Sequence, residues 1–365
     1  MSYRPGNMGT VEGAALAFAV GITPVFLSVW SIVLERAATG AWLTPLITGP
    51  VLLAALLAVF HVMARVPGDL HGVAEALLGV TAARLVTLYL AACFFTSAVL
   101  QLRQFAENTL LTALPATDIT LAMGWYGLAV AVAVFTGIEA LARAARLVLP
   151  AGMLLLFVGF VALTDRFDIH NVMPWQGSGL TVVWVGLETP GLFLATFVIP
   201  LLAPSFQDIR TMKKAALIGI GLATAVRSST LFVYTGIFSV AVGQEKVLPF
   251  FELTRLVYLT RFIQRVESFF ILIWVFAGMT MIAVNLYLAA FLLARLFALP
   301  SLRPLAVPLV VVAIQTALLI PDLTTAIEIS LRVEGAVQTA GIYAIPTVLI
   351  AALYTRKREG RAAGG

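Results

Sequence analysis

Two short stretches set helix-breaking residues inside long apolar runs. Gly21-Ile22-Thr23-Pro24 lies near the middle of the run 11–34, and Gly186-Leu187-Glu188-Thr189-Pro190-Gly191 lies inside the run 180–202. Threonine is a good helix N-cap and proline is favoured at the first helical position. Glycine accepts the backbone angles of an unwound turn. Each run therefore reads as two half-helices. Amides freed after Thr23 would carry the positive end of a half-helix dipole, a seat for an anionic group such as a ligand carboxylate. The competing reading is a proline kink in a packed helix. Its duplication in two halves of the chain favours the binding site.

Two ionisable side chains lie at membrane depth in these runs. Glu188 is the acid nearest a helix break, and Arg227 lies about midway along the run 215–242. Such groups are expensive in lipid and are functional candidates by default. Glu188 could hold a ligand ammonium or a coupling proton. Alternatively Glu188 and Arg227 form a structural ion pair, because a buried charge needs a partner. Arg103 and Glu107, four residues apart, can pair along one helix face.

The elements that must position these groups are set by composition. The chain is 61% hydrophobic and 11% charged, against about 25% charged in a soluble domain. About ten apolar runs approach the ~20 residues that cross a bilayer, and no soluble domain stands between them. A net charge of +5 raises nucleic acid as a partner. The basic residues lie between the apolar runs rather than along one face, which excludes it. Fourteen of the 23 Lys and Arg fall on one side of the ten-span topology and seven on the other. That bias places both termini in the cytoplasm. The first run is too long for a signal peptide and is followed by more of its kind.

Ten spans divide into five and five, and an odd-numbered repeat must be inverted. The expected halves of this single transmembrane domain are 11–163 and 180–353. A short amphipathic piece over His71–Leu78, and another around Phe250, Leu253, Leu256 and Val257, fall at matching places in the two halves. Inversion predicts one on each membrane face. Cys93 is the single cysteine, and His61, His71 and His170 are scattered. The sequence therefore calls for no metal and no cofactor. It offers no nucleophile–base pair, so an enzyme is not expected.

Several motifs resemble a known family. They are Leu102-Arg103-Gln104-Phe105-Ala106-Glu107 with Leu114-Pro115-Ala116-Thr117, and Gly137-Ile138-Glu139 with Ala142-Arg143. Others are Phe167-Asp168-Ile169-His170-Asn171 with Pro174 and Gly177, and Arg265-Val266-Glu267-Ser268-Phe269-Phe270 with Trp274. Together they resemble the B subunit of GerA-type spore germinant receptors, the spore permease family of the amino acid–polyamine–organocation superfamily. The resemblance implies an all-α, LeuT-like 5+5 inverted repeat with helices 1 and 6 broken. It also implies a place in the spore inner membrane, receptor A and C subunits as partners, and a nutrient ligand, commonly an amino acid. In that architecture spans three and eight flank the broken pair, so Ser97, Gln101, Thr280 and Tyr287 could line the pocket. The alternative for each is an interhelical hydrogen bond. In the family the sixth helix breaks at a Gly-x-Glu, which aligns with Ala195-Thr196-Phe197 here. The glutamate is absent, and the break point stays open between Glu188–Gly191 and Ala195–Thr196. The two functions in view are a nutrient sensor that triggers germination and an ion-coupled amino acid transporter.

Overall fold

The protein is described by a computed structural model over residues 7–27, 29–66, 68–188, 193–258 and 267–362. The first expected span divides into α1 (Thr10–Ile22) and α2 (Val29–Ala37), joined by a tight turn over Thr23–Phe26. Next come α3 (Thr44–Met63), the short α4 (Leu70–Leu78), α5 (Val80–Thr112), α6 (Ile119–Thr136) and α7 (Ile138–Ala162). The described residues of the sixth span lie in α8 (Leu180–Glu188) and α9 (Phe193–Leu201). Then follow α10 (Ile209–Gly243), the short α11 (Pro249–Arg255), α12 (Glu267–Leu296) and α13 (Arg303–Leu318). The last span runs through α14 (Leu323–Ile329), a wide π-type turn over Ser330–Glu334, and α15 (Gly335–Ala362).

Among the described residues seven helices are long and apolar enough to cross a membrane, and Thr10–Ile22 and Arg303–Leu318 are shorter apolar ones. With no water in the bilayer core, each backbone polar group must be satisfied within its segment, which the helix does. The starts are written locally. Asp69, Asp118, Asp208 and Asp322 each precede a helix and accept a first-turn N–H, opening α4, α6, α10 and α14. Gly79 and Gly137, at φ +88° and +97°, let α4 pass directly into α5 and α6 into α7.

The two expected amphipathic pieces are α4 and α11. The first buries Leu70, Val73, Ala74 and Leu77, and is tied down where Asp69 pairs with Arg295 of α12 at 2.8 Å. The second buries Phe250 and Leu253, and Phe250 meets the rings of Phe26 and Trp30 edge-on.

Two helix seams dominate the interior. Along α1 and α10, which run parallel, small residues recur every four positions. A methyl added at Gly13 would stand 2.9 Å from the Ala215 Cβ, one at Gly219 2.6 Å from the Ala17 Cβ, and one at Gly21 2.9 Å from the Ala223 Cβ. Small faces let two backbones approach where lipid supplies no hydrophobic drive. Along α5 and α12 the seam carries polar links instead. Asn285 donates to Gln101 at 2.7 Å. Ser97, Gln101, Gln104 and Asn108, all buried, recur at 4-3-4 spacing on one face of α5.

Candidate functional site

The broken first helix supplies the floor of the site. The helix ends at Ile22, tightens over Thr23–Phe26, bends at Leu27, and restarts at Val29. Thr23 does not cap the second half as its sequence context predicts. Its hydroxyl donates back to the Ala19 carbonyl at 2.6 Å, and its N–H bonds the same oxygen. Threonine within a helix competes for the carbonyl four residues earlier, so it closes the first half. The restart therefore comes about one turn later than Thr23, and the positive end of the second half lies at Val29.

The sixth span is described as helix through Glu188 and again from Phe193. Thr189 and Gly191 lie outside the described residues. The main chain through Ala195 and Thr196 is helical in α9, so no break falls there. Thr48 of α3 donates to the Gly186 carbonyl, which fixes the end of α8 against α3.

The expected Glu188–Arg227 pair is not made. Glu188 pairs with Arg36 of α2 at 2.7 Å, and both side chains are about half exposed. The reason is geometric. The end of α2 meets the start of α8 where Ser178 bonds the carbonyls of Arg36 and Ala37. Side chains lean toward the N-terminus of their own helix, so on these antiparallel halves Arg36 and Glu188 lean toward each other. Arg227, on α10, is 3% exposed, and its Nε and Nη1 have no hydrogen-bond partner.

The Arg36–Glu188 pair stands on the wall of an open vestibule of about 680 Å³. Its walls are α2, α8 and the last span, and they include Val29, Val33, Glu328 and Arg332. This volume is in the range of small-molecule sites. The vestibule reaches down to Val29, where α2 begins. On the other side of the turn, Ile22, Val25 and Phe26 border a smaller apolar void of about 50 Å³ shared with α7 and α12.

Of the residues expected in the site, Glu188 lines the vestibule and Ile22 the apolar void. Gly21 packs on α10. Pro24 lies in the turn after Thr23. Ser97 accepts from Gln338 at 2.8 Å, Gln101 accepts from Asn285, and Thr280 donates to its own helix at Phe276. Tyr287 is fully buried. These four sit in the α5–α12 interior and do not border the vestibule. Sequence reasoning missed Arg36, Glu328 and Arg332. A signal was present in the last two, which stand four apart across the π-type turn; such turns recur at functional sites. Arg103 and Glu107 pair as expected, at 2.8 Å.

This arrangement defines a class, a multi-pass membrane protein of the LeuT fold built around an interrupted first helix. MhsT in complex with L-phenylalanine shares it with a TM-score of 0.69 at 13% identity, over 96% of this chain and 99% of that one. Mhp1, a nucleobase-cation-symport-1 family transporter, shares it at 0.60 and 14% identity, over 96% of this chain and 80% of that one. A Na⁺-coupled sialic acid symporter does so at 0.65 and 13% identity, over 96% and 80%. These likenesses are of fold.

The chain belongs to the spore permease family of spore germination proteins, which it matches over residues 14–324. Spore germination protein KB of Bacillus subtilis (strain 168) is 24% identical over 276 residues, 72% of this chain and 73% of that protein. Spore germination protein YndE of the same organism is 24% identical over 214 residues, 58% of each chain.

Proposed function

We propose that this chain is the nutrient-sensing subunit of a spore germinant receptor and that its nutrient is an amino acid. The observation that carries the reading is the vestibule, which opens on one side of the protein and ends on the interrupted first helix. A ligand entering there meets the α2 N-terminus at Val29, and we assign its deeper contacts to the stretch Gly21, Ile22, Thr23 and Pro24. We assign the opposing contacts to Glu188, Thr189, Gly191, Ala195 and Thr196 of the sixth span. Ser97, Gln101, Thr280 and Tyr287, in the α5–α12 interior, are assigned to a deeper part of the pocket that the ligand-bound form would open. Binding favours one conformation over another, and that preference is the signal. Its receivers are receptor A and C subunits in the spore inner membrane, with both termini of this chain in the cytoplasm. The halves 11–163 and 180–353 are the inverted units that rock against each other.

The test is direct binding of standard amino acids to the purified protein, wild type and Val33→Trp. The indole would crowd the wall of the vestibule near its base, and wild-type binding must weaken with it. Co-purification with A and C subunits checks the assembly. Ion-coupled transport is the second reading, favoured by the fold shared with symporters. Uptake of labelled amino acid into proteoliposomes, dependent on an ion gradient, would replace sensing with transport.

A further inference from the structure

The register of the α1–α10 seam fixes the place of the unpartnered arginine. Gly13 faces Ala215, Ala17 faces Gly219, and Gly21 faces Ala223. The next turn of α10 carries Val226, which borders a void with Ile22, Val25 and Phe26, so Arg227 lies near the height of the turn Thr23–Phe26. The neighbouring residue Ser228 donates to the Trp42 carbonyl at 2.8 Å and holds α10 at this height. Arg227 is 3% exposed, and two of its guanidinium nitrogens lack a partner. Among the described side chains no carboxylate pairs with it; the acids nearest in kind are engaged elsewhere, Glu188 by Arg36 and Glu12 by Arg146.

A guanidinium is charged at any accessible pH and presents a flat fork of donors matched to a carboxylate. Left unpaired in a dry interior it raises the energy of the state that buries it. It lies near the height of the turn that precedes the restart of the first helix at Val29, whose amides also favour negative charge. Two independent features thus ask for the same thing, an anion at the interrupted turn.

We propose that Arg227 receives the carboxylate of the ligand, an inference that rests on the interrupted helix being the ligand seat. The ligand class is then a small carboxylic acid, and uncharged analogues are excluded. The same contact explains how binding acts as a signal. With the seat empty, closing the turn buries a lone charge. With the acid bound, closing it buries a compensated pair, so occupancy shifts the population toward the closed form.

The test uses the purified full chain, with binding read by calorimetry and thermal shift. The probes are the standard amino acids and, for each that binds, its carboxamide. Wild type should bind acid and not amide. Arg227→Met should lose about a hundredfold in affinity for the acid and with it the preference for acid over amide. Arg227→Lys should keep the preference with weaker binding, and it serves alone if Arg227→Met does not fold. Arg227→Met that still prefers the acid, or wild type that binds acid and amide alike, overturns the proposal. Stabilisation of wild type by chloride alone, with acid and amide then alike, assigns the charge to an inorganic anion and overturns it too. If Arg227→Met binds normally while Val33→Trp binds weakly, the seat stands and Arg227 is removed from it. Wild type that binds no amino acid overturns both.

Discussion

Arg36 and Arg227 stand beside the same interrupted helix and meet opposite fates. Arg36 lies in the last turn of α2, about half exposed, and holds Glu188 at 2.7 Å across an open vestibule. Arg227 lies near the height of the turn, closed off from that vestibule, with unpartnered nitrogens. Water in the vestibule screens the first charge, so its pair contributes little and its role is at the rim. Nothing screens the second. A protein that keeps such a charge carries a standing destabilisation, and its retention points to something outside the fold. The comparison also separates two kinds of candidate site. A polar residue seen in a cavity reports access, whereas one sealed beside a cavity reports what the cavity must become when it closes.

The largest expected effect is on the sealed side. Arg227→Met should stabilise the ligand-free protein in detergent by on the order of 1–4 kcal/mol, the range seen when apolar groups replace buried charges, and so raise its unfolding midpoint. A lower midpoint would mean that the guanidinium is already compensated. Next is the seat of that arginine. Gly21→Leu drives a side chain into Ala223 and should cost about 1–3 kcal/mol from overpacking. Adding Ala223→Gly should recover part of it, which a double-mutant cycle on thermal melts would detect. Arg36→Met and Glu188→Gln should each change stability by less than about 1 kcal/mol. The wild-type pair should also weaken with added salt, read as melting against ionic strength.

The smallest effect concerns a third guanidinium. Arg295 is paired with Asp69 on the short helix α4, where His71 meets the Thr87 hydroxyl at 2.6 Å. Burial first, and the charge of Arg295 second, hold the His71 ring below its ordinary pKa. The folded state thus favours the neutral ring, although Glu75 lies 3.8 Å away. The contribution is complete above about pH 6.5 and is lost as pH falls through the lowered value. Melting followed from neutral to mildly acid pH should show that decline, and His71→Gln should flatten it.

Much of this was legible in order along the chain. Apolar runs and low charge specify a lipid-embedded helical protein, because only a helix satisfies its backbone there. Asp69, Asp118, Asp208 and Asp322 announce helix starts by chemistry that acts within three residues. Gly21–Pro24 announces an interruption for the same local reason. The exact restart was not legible, because Thr23 had two carbonyl and amide partners in reach and the folded chain selected the earlier one. Glu188 looked like the partner of Arg227 because both are charges at similar depth in separate runs. Depth along a helix is a property of sequence, but the side of the helix and the neighbour it faces are not.

The sequence by itself determined the solvent, the number of apolar runs and the location of the first interruption, since each depends on contacts within a turn or two. The tertiary structure alone decided that α1 and α10 run side by side on small residues, that Arg36 reaches Glu188, and that Arg227 is left over. Those outcomes depend on how helices distant in the chain are rotated and set in height against one another. Packing fixes both at once, and no single helix carries that information.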